Sequence, residues 1–158
     1  MRKNIIGMAI VLFMVCFAWS IEPAQSQDNS FQTELQKFQG TWVMVSAEMD
    51  GKKVHDDQMK QSKITFVGDK VEVITPHQHK EKIIATIKKF DTTKTPKEMH
   101  YVRSIGPNAG TTVIAIYEFD GPDQHKICFD PAGKDTPKKF ETKAESGHIW
   151  HTWKRVTK

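Results

Sequence analysis

TTVIAIYEFDGPDQHKICFDP, residues 111–131, decides the fold class. Its first arm sets Val113, Ile114, Ile116, Tyr117 and Phe119 in a β-branched and aromatic run, and its second holds Ile127, Cys128 and Phe129. Asp120-Gly121-Pro122-Asp123 lies between them. Gly121 supplies the positive φ of a tight reversal and Pro122, lacking an N–H, ends the ladder, so the arms fold back antiparallel. Along the first arm Tyr117 and Phe119 alternate with Ile116 and Glu118, so one pair meets the core and the other faces outward. Ile116, with Ile114 and Ile127 as its expected neighbours, is predicted to be buried. This is a sheet protein, and the open question is how the sheet closes.

Working outward, the chain repeats the same grammar. Downstream, PAGKDTPK reads as a loop, KFETKA (139–144) as a short strand, Glu145-Ser146-Gly147 as a turn and HIWHTWKRV (148–156) as the last strand. Upstream, IGPNAG is a turn-rich connection, KEMHYVRS (97–104) a weaker strand and Asp91 to Pro96 a loop. EKIIATIKKF (81–90) has period two, with Ile83, Ala85 and Ile87 on one face. KITFV, Gly68-Asp69 and KVEVIT read as strand, tight turn and strand, with Ile64 and Phe66 alternating against Val71 and Val73. HDDQMKQS is a helical turn or loop. TWVMVSAEM is the first strand and ends at the turn dipeptide Asp50-Gly51.

Before that strand, FQTELQKF carries Phe31, Leu35 and Phe38 at helical spacing, with Asn29 and Gln32 as a capping pair and Gly40 as the stop. The count is eight or nine strands, with no helix long enough to serve as a parallel crossover. The expected fold is all-β, a single antiparallel up-and-down barrel with a short N-terminal helix, and a β-sandwich is the alternative.

Met1-Arg2-Lys3-Asn4 followed by an uncharged run from Ile5 to Ser20 and the small residues of Ala24-Gln25-Ser26 has the three-part layout of a secretory leader. Cleavage before Gln27 is expected, giving a leader over 1–26, a barrel domain over 27–158, a secreted or periplasmic location and no integral membrane segment afterwards. Cys128 would then be the only cysteine, so no intramolecular disulfide is expected, and its apolar setting makes it a packing residue. The 158 residues, 38% hydrophobic and 27% charged, suit one soluble domain. The formal net charge of +4 comes with lysines scattered along the strands, which argues against a nucleic-acid groove.

No residue pattern points to catalysis. His77 and His79 in PHQHK lie beside a proline, while His148 and His151, three apart, face opposite sides of a strand; neither pair is completed into a ligand set, so no metal or cofactor is expected. Glu118, inside an apolar run, is a carboxylate that can point inward and pair with Arg103 or Arg155 rather than act as a general acid. The reading is non-enzymatic.

Two features of the ends bear on closure. Gly40-Thr41-Trp42, just after a helix and opening a strand, is similar to the G-x-W signature of lipocalins, and Arg155 lies in the last strand, where that superfamily places a basic residue. In a closed barrel these strands are neighbours, so the Arg155 guanidinium is expected to lie across the Trp42 indole. The blocks FQGTW, DGKK, FVGDK, DTTKTPKEM, GPNAGTT, IYEFDG, KIC, TPKKF and WKR, in that order, resemble a lipocalin-like domain family abundant in planctomycete bacteria. The resemblance spans Leu35 to Val156 and implies the barrel but no activity, since the family has no agreed function. Three departures stand out: Ala115 for a glycine, Thr136 for an arginine, and Trp150, His151 and Trp153 in place of an aliphatic last strand, a change expected at the barrel mouth. The structural residues are Gly40, Trp42, Tyr117, Glu118, Gly121 and Arg155. Two functions stay open: a module binding a small apolar ligand in the lumen, and an exported interaction or inhibitor-like module with a filled lumen and an exposed patch such as Trp150 or Trp153. No oligomeric state is implied.

Overall fold

The computed structural model describes residues 25–59, 61–75 and 82–157. Helix α1 (Gln25–Phe38) leads into β1 (Gly40–Met49), the two-residue β2 (Lys52–Lys53) and one helical turn, α2 (Asp56–Met59). Then come β3 (Lys63–Val67), β4 (Lys70–Ile74), β5 (Ile83–Asp91), β6 (Lys97–Ile105), β7 (Thr112–Phe119), β8 (Gln124–Phe129) and β9 (Ile149–Arg155). Every pairing is antiparallel, the strands follow chain order from β3 to β9, and β1 pairs with both β3 and β9. That last pairing closes the sheet into an up-and-down barrel of eight strands, with β2 appended to β1 as a ninth.

Turn chemistry sets the register. Asp50 and Gly51 both take positive φ, 52° and 74°, the geometry of a two-residue hairpin loop, and Met49 pairs with Lys52. Gly121 adopts φ 70° in the β7–β8 reversal, where Asp120 N–H donates to the Gln124 carbonyl at 2.9 Å. Bulges at β1, between Met44 and Ser46, and at β5, between Ile87 and Lys89, bend the strands around the barrel.

One end of the lumen is filled by α1. Leu35 and Phe38 are buried, and the Phe38 ring lies 4.7–5.6 Å from those of Phe66, Phe90, Tyr117, Phe119 and His125. The Trp42 indole N–H donates to the Phe38 carbonyl at 2.7 Å, which fixes the helix end against the first strand. Buried Glu34 accepts from the Tyr117 hydroxyl at 2.9 Å and from Lys37 and Lys97. Burial alone would raise its carboxyl, but these three donors outweigh that and hold it below the usual carboxylate range. The same arrangement, after burial, drives the Tyr117 phenol far upward.

Several expectations change. α1 begins at Gln25, so Asn29 is not a cap; it lies inside the helix, and its carbonyl accepts from the Thr33 hydroxyl at 2.7 Å. The expected leader core lies outside the described residues, and the expected cleavage position falls in the first turn of α1. The weak strand over 97–104 is a full nine-residue strand, while 139–144 forms none. Instead residues 130–148 pass over the outer face of β8, where Lys126 Nζ lies 4.5 Å from the Phe140 ring centre, and reach β1 at Glu48. Their polar backbone is satisfied by side chains: the Asp130 carboxylate accepts from the N–H groups of Ala132, Lys134 and Asp135. Thr142 donates to Glu48 through both its N–H and its hydroxyl. With β1 and β9 paired, the sheet leaves only the two-residue β2 as an edge, too short to hold a further strand, so the segment packs as a strap.

Ile116 is 2% exposed as predicted, but on the outward face of β7, opposite Cys128, whose Sγ meets the strap. Its direct cross-strand partners are Cys128 and Glu98 rather than Ile114 and Ile127. Cys128 is fully buried, its Sγ 3.8 Å from the Glu141 carbonyl of the strap, and burial pushes its thiol up to about 11. Glu118 does not point inward: it is exposed and pairs with Lys126 across the ladder at 3.1 Å, reaching neither Arg103 nor Arg155.

Candidate functional site

Inward-facing side chains of an eight-stranded barrel either fill its interior or leave room for one small ligand. Here α1 fills only one end. The other half encloses a cavity of about 470 Å3. Its inner limit is formed by Phe66 and Trp153, and its walls by Val71, Val73, Ala85, Met99 and Ile127. At the mouth stand Met49, Thr75, Ile83, Tyr101, Arg103, Asn108, Phe129 and Ile149.

Alternation places these groups. Met99, Tyr101 and Arg103 occupy successive inward positions of β6, and Ile149, His151 and Trp153 those of β9. Because Trp153 pairs with His125 and Ile149 with Phe129, β9 runs inward from the mouth, and Trp153 lies deepest. The tryptophans and histidine expected to alter the mouth therefore separate. Trp153 is 1% exposed near the aromatic plug, His151 lines the middle, and Trp150, opposite Cys128, faces outward. His148 precedes β9 and meets Asp135 at 3.1 Å, away from His151 as expected. His77 and His79 lie outside the described residues.

The polar atoms in this apolar chamber are mostly without partners. Thr75 Oγ1, His151 Nε2, Trp153 Nε1 and Arg103 Nε are buried and make no hydrogen bond, a costly state for groups that a ligand or water would satisfy. Burial pushes the His151 imidazole down to about 4, so it is neutral at physiological pH and offers one donor and one acceptor. Burial likewise pushes the Tyr101 phenol up to about 12, against the charge of Arg103 and a hydrogen bond with it. Arg103 Nη1 donates to the carbonyls of Pro107 and Pro131, both at 3.1 Å, and its guanidinium carbon lies 6.0 Å from the Phe129 ring centre.

Of the residues expected to be structural, the fold brings Gly40, Trp42, Tyr117 and Arg155 to the closed end, leaves Gly121 in the nearby turn and puts Glu118 on the surface. A second hollow there, of about 720 Å3, opens more widely to solvent. Three of the four cations among its described lining residues are already engaged, Lys37 and Lys97 with Glu34 and Arg155 with backbone carbonyls; the fourth is Lys94. Among the described residues no group of three or more His, Cys, Asp or Glu comes together, and no helix is long and apolar enough to cross a membrane. Comparison of the chain with protein-family models, with curated proteins and with solved structures returns no match.

Apart from His151 and Trp153, expected at the barrel mouth, and Arg103, named as a pairing partner, the lining residues were not singled out from sequence. The period-two pattern of Met99, Tyr101 and Arg103, and that of Ile149, His151 and Trp153, was the available signal, but alternation marks a shared face without saying which face is inside.

Proposed function

We propose that this barrel is a non-enzymatic module that holds one small, mainly apolar molecule. The observation that carries this reading is the cavity of about 470 Å3 behind the α1 plug, a size within the usual range of roughly 300 to 1,000 Å3 for ligand sites. Its apolar walls and few unpartnered donors suit binding better than chemistry, since they pair no nucleophile with a base. The Gly40, Thr41, Trp42 opening of β1 and the stacked Arg155 support the lipocalin-like resemblance. The positive head, apolar run and small residues of the first 26 positions support export to a secreted or periplasmic location.

The alternative, an exposed tryptophan patch over a filled lumen, loses support because Trp153 is buried and half the lumen is open. The test is mass spectrometry of small molecules released from protein purified from its native exporting cell. A single compound or narrow class in near-stoichiometric amount is expected. Repeated preparations that release nothing contradict the reading.

A further inference from the structure

A cavity's polar groups define its ligand more narrowly than its apolar walls do. Among the described residues lining this one, Arg103 alone carries a formal charge; no Asp, Glu or Lys joins it. It is 5% exposed, and among the described residues no carboxylate lies within ion-pair distance of it. The neighbouring Asp130 is taken up by three backbone N–H groups of the strap. Arg103 Nη1 is anchored by the Pro107 and Pro131 carbonyls, which fixes the guanidinium at the mouth, while its Nε remains without a partner. A buried, positioned cation with no carboxylate in direct contact is expensive unless an anion completes it. The flat guanidinium edge matches a carboxylate.

We infer that the ligand is an amphipathic monoanion, its carboxylate held at the mouth by Arg103 and its apolar chain running inward along Phe129 and Ile127 toward Trp153. This rests on the reading of the cavity as a ligand site and adds the headgroup and the orientation. Tyr101, beside Arg103, supplies a neutral hydroxyl at the same level. Arg103 selects the headgroup, and the walls take the chain without regard to its details.

The experiment is titration of the full chain with decanoate and with 1-decanol, which share a tail and differ in charge. Decanoate is expected to bind at least about tenfold more tightly, the effect of one charge-assisted hydrogen-bonded contact. Arg103→Gln should bring the two within about threefold of each other, and Arg103→Lys should keep part of the preference. Equal or tighter binding of 1-decanol to the unmodified chain overturns the headgroup inference and leaves the cavity reading intact; failure of both probes to bind overturns both. Orientation is read without any substitution at Arg103, from quenching of the buried tryptophans by brominated probes. 10-Bromodecanoate should quench and 2-bromodecanoate should not. Equal or reversed quenching overturns the inference even if the Arg103 variants fail to fold.

Discussion

The Arg155 guanidinium carbon lies 4.0 Å from the centre of the Trp42 ring, and the two residues are direct partners in the ladder between the last strand and the first. The contact joins chain ends 113 positions apart and seals the barrel where α1 enters it. Gly40, at φ 103°, lets the backbone turn beneath it, with room for Arg155 Nη1 3.6 Å from where a Cβ would stand. Arg155 also donates to the carbonyl of Lys37, in the last turn of the helix, to that of Gln39, just past its end, and to Pro122 of the β7–β8 turn.

Arg155→Met keeps some of the packing and removes the fork. Because several charged hydrogen bonds and a cation–π contact go together, the loss should be about 2 to 4 kcal/mol by equilibrium unfolding in urea. Arg155→Lys should recover less than half of it, since an ammonium cannot bridge three backbone segments in a plane. Full recovery by lysine contradicts the fork.

Ile116→Ala should cost about 2 to 5 kcal/mol, the range for a buried large-to-small change. Val67, 70% exposed, is the control, and Val67→Ala should stay within about 0.5 kcal/mol. Ile116 lies on the outward face opposite Cys128, which meets the strap, rather than in the lumen, so its loss should also speed proteolysis between residues 130 and 148. Unchanged cleavage there means the strap does not depend on that face.

Acid should weaken the fold before carboxylates titrate. Burial, and then the charge of Arg155, holds His125 down to about 3, and burial holds His151 down to about 4. Both are neutral in the folded chain but take a proton near pH 6.5 when unfolded. The unfolded state therefore gains protons as pH falls below 6.5, and stability falls by up to about 1.4 kcal/mol per pH unit for each histidine until its folded value is reached. His125→Phe, within a ring of Phe38, Trp42 and Phe119, should flatten the slope between pH 6 and pH 5 by about half. An unchanged slope assigns the acid sensitivity elsewhere. Glu34, held low in the folded chain, adds to it once pH falls through the ordinary carboxylate value of 4.5, where the unfolded state takes up its proton first.

The barrel was legible because turn dipeptides and period-two runs are local: Asp50-Gly51, Gly68-Asp69 and the 111–131 hairpin each determine their own geometry. Closure was legible through Trp42 and Arg155, whose chemistry needs a neighbour from the other end of the chain. The strap was not, because Phe140 and Thr142 alternate as a strand would, and only the absence of a long enough free edge decides against one. Glu118 was misplaced for a related reason: apolar neighbours on both sides suggest burial, but its face of β7 reaches solvent opposite Lys126. The cavity was the least legible, since its volume depends on how deeply α1 fills the lumen, which no local pattern encodes.

The most direct test of the account fills the cavity. Ala85, 3% exposed on its wall, becomes phenylalanine, and the fluorescent apolar anion 1-anilinonaphthalene-8-sulfonate is titrated into both proteins at equal, native far-ultraviolet circular dichroism. The account predicts saturable one-to-one binding to the original chain and a loss of affinity of at least about tenfold in Ala85→Phe, as expected when a ring takes the ligand's place. Equal binding to the two folded proteins would contradict it, because the dye, and by extension the natural ligand, would then sit outside the barrel.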